Sequence, residues 1–220
     1  MPAIVIGSKM LGEMFGTAEM RALFSDDAMV QRYLDVEAAL ARAQAGLGIV
    51  PADAAQAITR SAQVDNIDWP RLSARTEIVG YPILPLVEQL SEWAEDGLGQ
   101  WCHWGATTQD IMDTADVLQI RDALDLVSAD LDAVASALAG LAETHVDLPM
   151  AGRTHLQHAL PITFGYKAAT WLSGIDRHRA RLLELRSRVE VVSFSGASGT
   201  LASLGEENGL KTQAALASEL

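Results

Sequence analysis

Along one stretch of this chain, apolar residues step three, four, three, four, three, four, three positions without a miss. They are Val117, Ile120, Leu124, Val127, Leu131, Val134, Leu138 and Leu141. A repeat of about 3.5 residues is the seam of a helix packed in a left-handed bundle. No proline falls between residues 109 and 147. At ~1.5 Å per residue, a helix over that stretch reaches roughly 55 Å. Ala115, Ala133, Ala137 and Gly140 lie off the seam and leave room for a second neighbour. A helix with apolar or small residues on more than one face needs burial on more than one side. One short chain does not easily supply that, so the pattern predicts oligomerisation.

Similar patterns predict helices on either side. Ser25 followed by Asp26 and Asp27 is a helix start, with acids at the positive end of the dipole. Met29, Tyr33, Val36, Leu40, Ala43 and Leu47 then form a helical stripe, and Gly46 and Gly48 end it. Pro51 at a first helical position opens a short second helix. Residues 61–81, with Trp69-Pro70 and Tyr81-Pro82, read as mixed and turn-rich. Residues 82–95 return to a helical pattern that Gly97 and Gly99 break. Pro161 starts another long helix, where Ala168, Ile175, Leu182 and Val189 recur every seven residues beside Leu172, Leu185 and Val192. Its Arg177, Arg179, Arg181, Arg186 and Arg188 read as a solvated face or as ion-pair partners of the acidic helix. Residues 196–200 break this helix, and 208–220 begin one more that stops without a capping glycine, as if cut mid-element. No strand-like alternation of useful length is present. The predicted fold class is therefore all-α, with a small amino-terminal helical domain over 1–99. A long-helix bundle over 100–220 follows it, incomplete at its carboxyl end.

Composition narrows the function. The 220 residues are 49% hydrophobic, enough for a sizeable core. With 29 acidic against 16 basic residues the net charge is -13, which argues against a nucleic-acid partner. A single cysteine, Cys102, excludes an internal disulfide and fits a reducing, cytoplasmic setting. Residues 1–7 are briefly apolar but have no basic start and no long apolar run. They predict neither a secretory signal nor a membrane span. The glycines near Gly196 follow no strand, which argues against a dinucleotide or phosphate loop.

Two polar knots carry the candidate chemistry. The first is His103-Trp104-Gly105-Ala106-Thr107-Thr108-Gln109-Asp110, just before the long helix. Hydroxyls and amides at a helix start favour a carboxylate. Ordinary N-capping by Thr107 or Thr108, completed by Gln109 or Asp110, explains the threonines equally well, but not His103. The second is Gly152-Arg153-Thr154-His155-Leu156-Gln157-His158-Ala159, read as a shaped loop between helices. A guanidinium and a hydroxyl suit a carboxylate substrate, and an imidazole beside them can move protons near neutral pH. A merely polar surface loop is the competing reading. His103, His155 and His158 also raise zinc, but His-x-x-His at 155 and 158 matches no zinc ligand spacing, so no metal is expected.

Together with the helices, the two knots resemble the signature of the fumarase/aspartase superfamily. His-x-Gly-x-Thr-Thr-x-Asp at 103–110 is similar to its first sequence block, and Gly-Arg-Thr-His-x-Gln-His-Ala at 152–159 to its second. The resemblance covers essentially the whole chain. It implies an all-α homotetramer whose active sites combine three blocks from three subunits. It implies reversible elimination from a small di- or tricarboxylate, giving fumarate or an analogue. No cofactor is needed, since a carboxylate beside the carbanion stabilises it as an aci-carboxylate held by fixed donors. Thr107 and Thr108 would bind a substrate carboxylate, with Gln109, Arg153, Gln157 and Ser198 also among the substrate contacts. Thr154 and His155 would meet the substrate. His155, in proton transfer, and His103, entering the pocket from another subunit, are the catalytic candidates.

Within that superfamily, Phe24-Ser25-Asp26, Glu37-Ala38-Ala39-Leu40-Ala41-Arg42-Ala43, Ile83-Leu84-Pro85-Leu86-Val87 and Gly196-Ala197-Ser198-Gly199-Thr200-Leu201 are similar to 3-carboxy-cis,cis-muconate cycloisomerase. Bacterial cycloisomerases usually carry tryptophan where this chain has His155, and histidine there is the habit of the C–N and C–O lyases. The early Arg-Tyr pair of adenylosuccinate lyase is missing from residues 10–20, and its His-Asp pair is replaced by Thr76-Glu77-Ile78-Val79. The third block, a serine-rich loop before Met-Pro-x-Lys-x-Asn that supplies the base, does not occur in these residues. The chain thus reads as the amino-terminal portion of a longer enzyme, inactive alone. A lactone-closing cycloisomerase of the aromatic-degradation type is the first expectation. A lyase releasing fumarate is the alternative, and a non-catalytic helical scaffold is the third.

Overall fold

Thr17 and Ser25 each turn a hydroxyl onto the third amide beyond them, Met20 at 3.2 Å and Ala28 at 3.2 Å. These caps open α1 (Ala18–Leu23) and α2 (Asp26–Gly46) in the computed structural model, which describes Ser8 and residues 10–220. In α2 the expected stripe sinks. Tyr33, Val36, Leu40 and Ala43 are buried, and so are Leu34, Ala38, Ala39 and Ala41. Burial runs around most of the helix and encloses two polar side chains, Glu37 and Gln44.

Pro51 stands at the cap of α3 (Ala52–Ser61), one position before its expected place. The turn-rich reading of 61–81 is corrected by α4 (Trp69–Val79). Asp68 caps it by accepting the Arg71 amide at 3.1 Å, and Pro70 sits in its first turn, where it sacrifices no hydrogen bond. Only Leu72 of α4 is buried, so its apolar period is faint. α5 (Ile83–Trp93) buries Ile83, Leu86 and Leu90. Arg71 pairs with Glu92 at 2.6 Å and Arg75 with Glu88 at 2.7 Å across α4 and α5.

A short 3-10 segment, Glu95–Trp101, leads to α6 (Thr108–Thr144), the 37-residue helix announced by the heptad seam. Two antiparallel strands follow, β1 (Pro149–Thr154) and β2 (Gln157–Thr163). Here the expectation of no strands fails, and Pro161 lies within β2, not at a helix start. The next helix, α7 (Phe164–Val189), begins three residues later, and α8 (Gly205–Glu219) closes the chain. Apart from the hairpin, the fold is all-α.

The chain divides into two compact units. Met1–Ile120 with Glu190–Leu220 form the first. Its core joins α2, α3 and α5 to Ile111, Ala115 and Leu118 of α6 and to Phe194, Leu204 and Leu216. Arg42 of α2 meets Glu219 of α8 at 2.7 Å. Arg121–Val189 form the second unit: the rest of α6, the hairpin and α7. Arg179 pairs with Asp132 at 2.6 Å and Arg186 with Asp125 at 2.5 Å, the expected partnership of basic and acidic helices. Among the described residues of this unit, the buried hydrophobics are Ala135 and Ala168 alone.

Residues 1–7, read above as neither signal nor span, lie outside the described residues. Among those described, no helix is long and apolar enough to cross a membrane.

Candidate active site

The first knot is held by two buried acids. At the start of α6, the Thr107 amide donates to Asp110 Oδ2 at 3.0 Å, and the Asp110 amide returns a bond to the Thr107 carbonyl at 3.0 Å. Asp110 thus completes the cap, which is one of the expected arrangements. The Gln109 amide donates to Asp113 instead. The hydroxyls of the half-buried Thr107 and Thr108 take no part in a hydrogen bond among the described residues.

Asp110 also reaches forward in the chain. It accepts the Ser195 amide at 2.9 Å and the Gly196 amide at 2.9 Å. Thr114, one turn on, exchanges hydrogen bonds with Ser193 at 2.9 Å and 3.0 Å. These bonds draw the 193–200 turn onto the start of α6. Ser198 lies exposed on that turn, its hydroxyl 3.2 Å from that of Thr200.

The second acid, Glu37, comes from α2. Its Oε1 lies 2.6 Å from His103 Nδ1, and its Oε2 accepts the His103 amide at 3.1 Å. Two helical turns further along α2, Gln44 donates to the Trp104 carbonyl at 2.7 Å. This clamp holds His103 in the left-handed region, with φ 58°. Gly105 follows with φ 77°, and a Cβ there would lie 2.8 Å from Leu204 Cγ, so glycine is required twice over. Burial pulls the His103 imidazole towards neutrality, but the Glu37 carboxylate, aided by Asp110, outweighs it and raises its proton affinity above the ordinary histidine value.

The second knot is a hairpin and not a loop. Thr154 pairs with Gln157, and His155–Leu156 make the two-residue turn, with Leu156 at φ 59°. A register shift falls between Ala151 and Arg153. There Gly152 approaches the opposite strand so closely that a Cβ would lie 2.5 Å from the Leu160 carbonyl oxygen. Arg153, Thr154, His155, Gln157 and His158 are all exposed around the tip, and Leu156 is 93% exposed.

The candidate residues therefore fall into two groups. His103, Thr107, Thr108, Gln109 and Ser198 belong to the first unit, and Arg153, Thr154, His155 and Gln157 to the hairpin of the second. Sequence reasoning missed Glu37 and Gln44 as supports of the first group. The available signal was two polar residues seven apart, embedded in an Ala- and Leu-rich helix. Among the described residues, no three His, Cys, Asp or Glu side chains converge in a way that could hold a metal ion.

Known proteins resemble this chain over most of its length. Over 210 residues the chain is 50% identical to trans-aconitate decarboxylase 1 of Mycosarcoma maydis, covering 96% of this chain and 42% of that protein. It is 48% identical to 3-carboxy-cis,cis-muconate cycloisomerase of Pseudomonas aeruginosa, covering 94% of this chain and 45% of that one. The structure of a fumarate lyase from Mesorhizobium sp. BNC1 superposes with a TM-score of 0.86 at 63% identity, over 91% of this chain and 47% of that one. The chain spans about half the length of the curated relatives it matches. With residues 15–219 matched by the family profile described as Lyase, this chain belongs to that lyase family, the fumarase/aspartase superfamily.

Proposed function

We propose that the whole protein carrying this chain is a cycloisomerase-type enzyme that closes a lactone on a carboxymuconate. One observation carries the reading. Asp110 accepts the amide of Thr107, the residue before α6, and leaves the hydroxyls of Thr107 and Thr108 unengaged at the positive end of a 37-residue helix, beside a carboxylate-paired imidazole. A helix start so arranged suits a substrate carboxylate.

Thr107 and Thr108 then anchor one carboxylate and, with each sequence block drawn from a different copy of the chain, Arg153, Thr154 and Gln157 on the hairpin of another copy supply donors for another. Gln109 and Ser198 are further substrate contacts in this reading. Charge builds on the carboxylate next to the reacting carbon and is held as an aci-carboxylate by these donors, so no cofactor is required. His155 takes part in proton transfer, and His103 enters the same pocket from a second copy of the chain in a homotetramer. The base that removes the proton beside the carboxylate is assigned to a serine-rich segment outside these residues.

Two specific observations favour the alternative, a lyase releasing fumarate. His155 stands where cycloisomerases usually carry tryptophan, and the fumarate lyase structure shares 63% identity with this chain. Trans-aconitate and carboxymuconate, named in two relatives, are both unsaturated tricarboxylates. Product analysis on the whole protein separates the outcomes. Loss of muconate absorbance marks the cycloisomerase and a gain at fumarate's ultraviolet band marks the lyase. Carbon dioxide release from trans-aconitate would overturn both.

A further inference from the structure

The Glu37 carboxylate is a costly group to bury. Its side chain is 0% exposed in the middle of an apolar helix, and an unpaired charge there is strongly unfavourable. Both of its oxygens are spent on one residue, His103: Oε1 on the ring nitrogen Nδ1 at 2.6 Å and Oε2 on the backbone amide at 3.1 Å. A cap for the amide alone would need no charge. Pairing with Nδ1 as well fixes the ring in one tautomer and orientation, with the proton on Nδ1. The opposite nitrogen, Nε2, makes no hydrogen bond among the described residues.

We propose that Glu37 is a positioning residue for catalysis, which locks His103 by amide and Nδ1 so that Nε2 is the nitrogen that meets the substrate. The idea rests on His103 belonging to the substrate pocket, although the pairing itself does not. The left-handed backbone at His103, a conformation seldom adopted without compensation, is held by the same carboxylate. The charged groups facing the ring are Glu37 from α2 and Asp110 from α6, with the Cys102 thiol next to it in the chain. Both charged neighbours are acidic, so both favour the imidazolium.

The test uses the full-length assembled protein. Exchange of the histidine C2 hydrogen with deuterium, followed by mass spectrometry of the peptide carrying His103, reports its titration midpoint. In the wild type this midpoint should lie above the ordinary 6.5. In Glu37→Gln burial remains but the carboxylate is gone, so the midpoint should fall to 6.5 or below. The limb of the kcat/KM pH profile that belongs to His103 should move to lower pH, whether the ring acts as acid or base. kcat should fall by about 10²-fold with little change in KM, and Glu37→Asp should recover part of it. A His103 midpoint unmoved by Glu37→Gln overturns the inference, as does a moved midpoint with unchanged kcat and pH profile. If Glu37→Gln does not fold, a wild-type midpoint at or below 6.5 overturns it. A midpoint that moves in a protein inactive on every carboxylate tried upholds the pairing and defeats the enzyme reading instead.

Discussion

The amide of Gly196 donates to the Asp110 carboxylate at 2.9 Å across 86 positions of the chain. The same carboxylate caps α6 through the Thr107 amide at 3.0 Å and takes the Ser195 amide at 2.9 Å. One buried side chain thus binds the first sequence block to the turn that carries Ser198. Three amides and the helix dipole offset the desolvation of its charge.

Asp110→Asn removes an acceptor and sets an NH₂ against an amide. Stability to urea should drop by about 1.5–3 kcal/mol, the usual range for a hydrogen bond to a charged group. The Ser195 and Gly196 amides should lose hydrogen-exchange protection before the rest of the unit does. Unchanged stability and protection would show that the 193–200 turn is held by other contacts.

How much of this was legible in the sequence depended on where each residue's partners lie. The heptad from Val117 to Leu141 is a local repeat, and α6 follows it. Ser25 is a local cap and opens α2 where expected. Asp68 and Pro70 open α4, but with Leu72 alone buried the helix leaves no apolar stripe, and its Trp69-Pro70 read as a turn instead. The hairpin buries Gly152 and exposes most of its other side chains, so no alternation is imprinted on 149–163. The two blocks were recognisable as a pattern of residue types. Their supports were not, because Glu37 meets His103 across 66 positions and Asp110 meets Ser195 across 85. A buried polar residue such as Glu37 can be noticed locally, but nothing local tells which distant residue it meets.

Gly152→Ala tests whether the glycine of the second block is structural. Its new Cβ would sit 2.5 Å from the Leu160 carbonyl oxygen, backbone that cannot swing aside. The hairpin should open or shift, with a loss of roughly 1–3 kcal/mol typical of overpacking and faster amide exchange over 149–163. Wild-type exchange in this variant would show that the strands part freely.

Cys102 should be a slow thiol. Burial pushes it up to about 11 from an ordinary 9.0, with Glu37 adding to the rise and a hydrogen bond to Ser91 opposing it. At pH about 8 the thiolate is then roughly one part in a thousand, three units below its midpoint. Alkylation by iodoacetamide should be slow in the native protein and fast in urea. Because the folded midpoint is the raised one, the thiol's contribution to stability is complete below 9.0 and is lost as pH climbs through about 11. Rapid native alkylation at neutral pH would contradict this.

Assembly is the next expectation. Ile120, Val127, Val134 and Leu141, seven residues apart on α6, are 38%, 37%, 44% and 38% exposed in the single chain. A stripe of this kind is normally covered, and a homotetramer would cover it. Light scattering should give a mass near four chains for the whole protein, and Val134→Lys should reduce it. A stable monomer at micromolar concentration would defeat the proposal. Leu131, half-buried on the same seam, should cost about 2–5 kcal/mol on truncation to Ala if the partner buries it. A loss under about half a kcal/mol is typical of a surface site.

His155 divides the two enzymatic readings. It stands in the two-residue turn of an exposed hairpin, between Thr154 and Leu156, where nothing in its own unit asks for an imidazole. A residue so placed is free to be chosen for what it does to a ligand. In a lyase it should move a proton or orient the group that does, so His155→Asn in the full-length enzyme should slow fumarate release by about 10²-fold or more. Tetramers should persist, because the side chain is exposed and the turn conformation belongs to Leu156. In a cycloisomerase, a tryptophan suffices at this position and the imidazole proton is dispensable. His155→Trp should then keep lactone formation and abolish any fumarate release. Assaying both variants against carboxymuconate and against an amino- or hydroxysuccinate gives four rates, and their pattern identifies the chemistry. Full-rate fumarate release by His155→Trp would remove this histidine from proton transfer and leave His103, locked by Glu37, as the imidazole to examine.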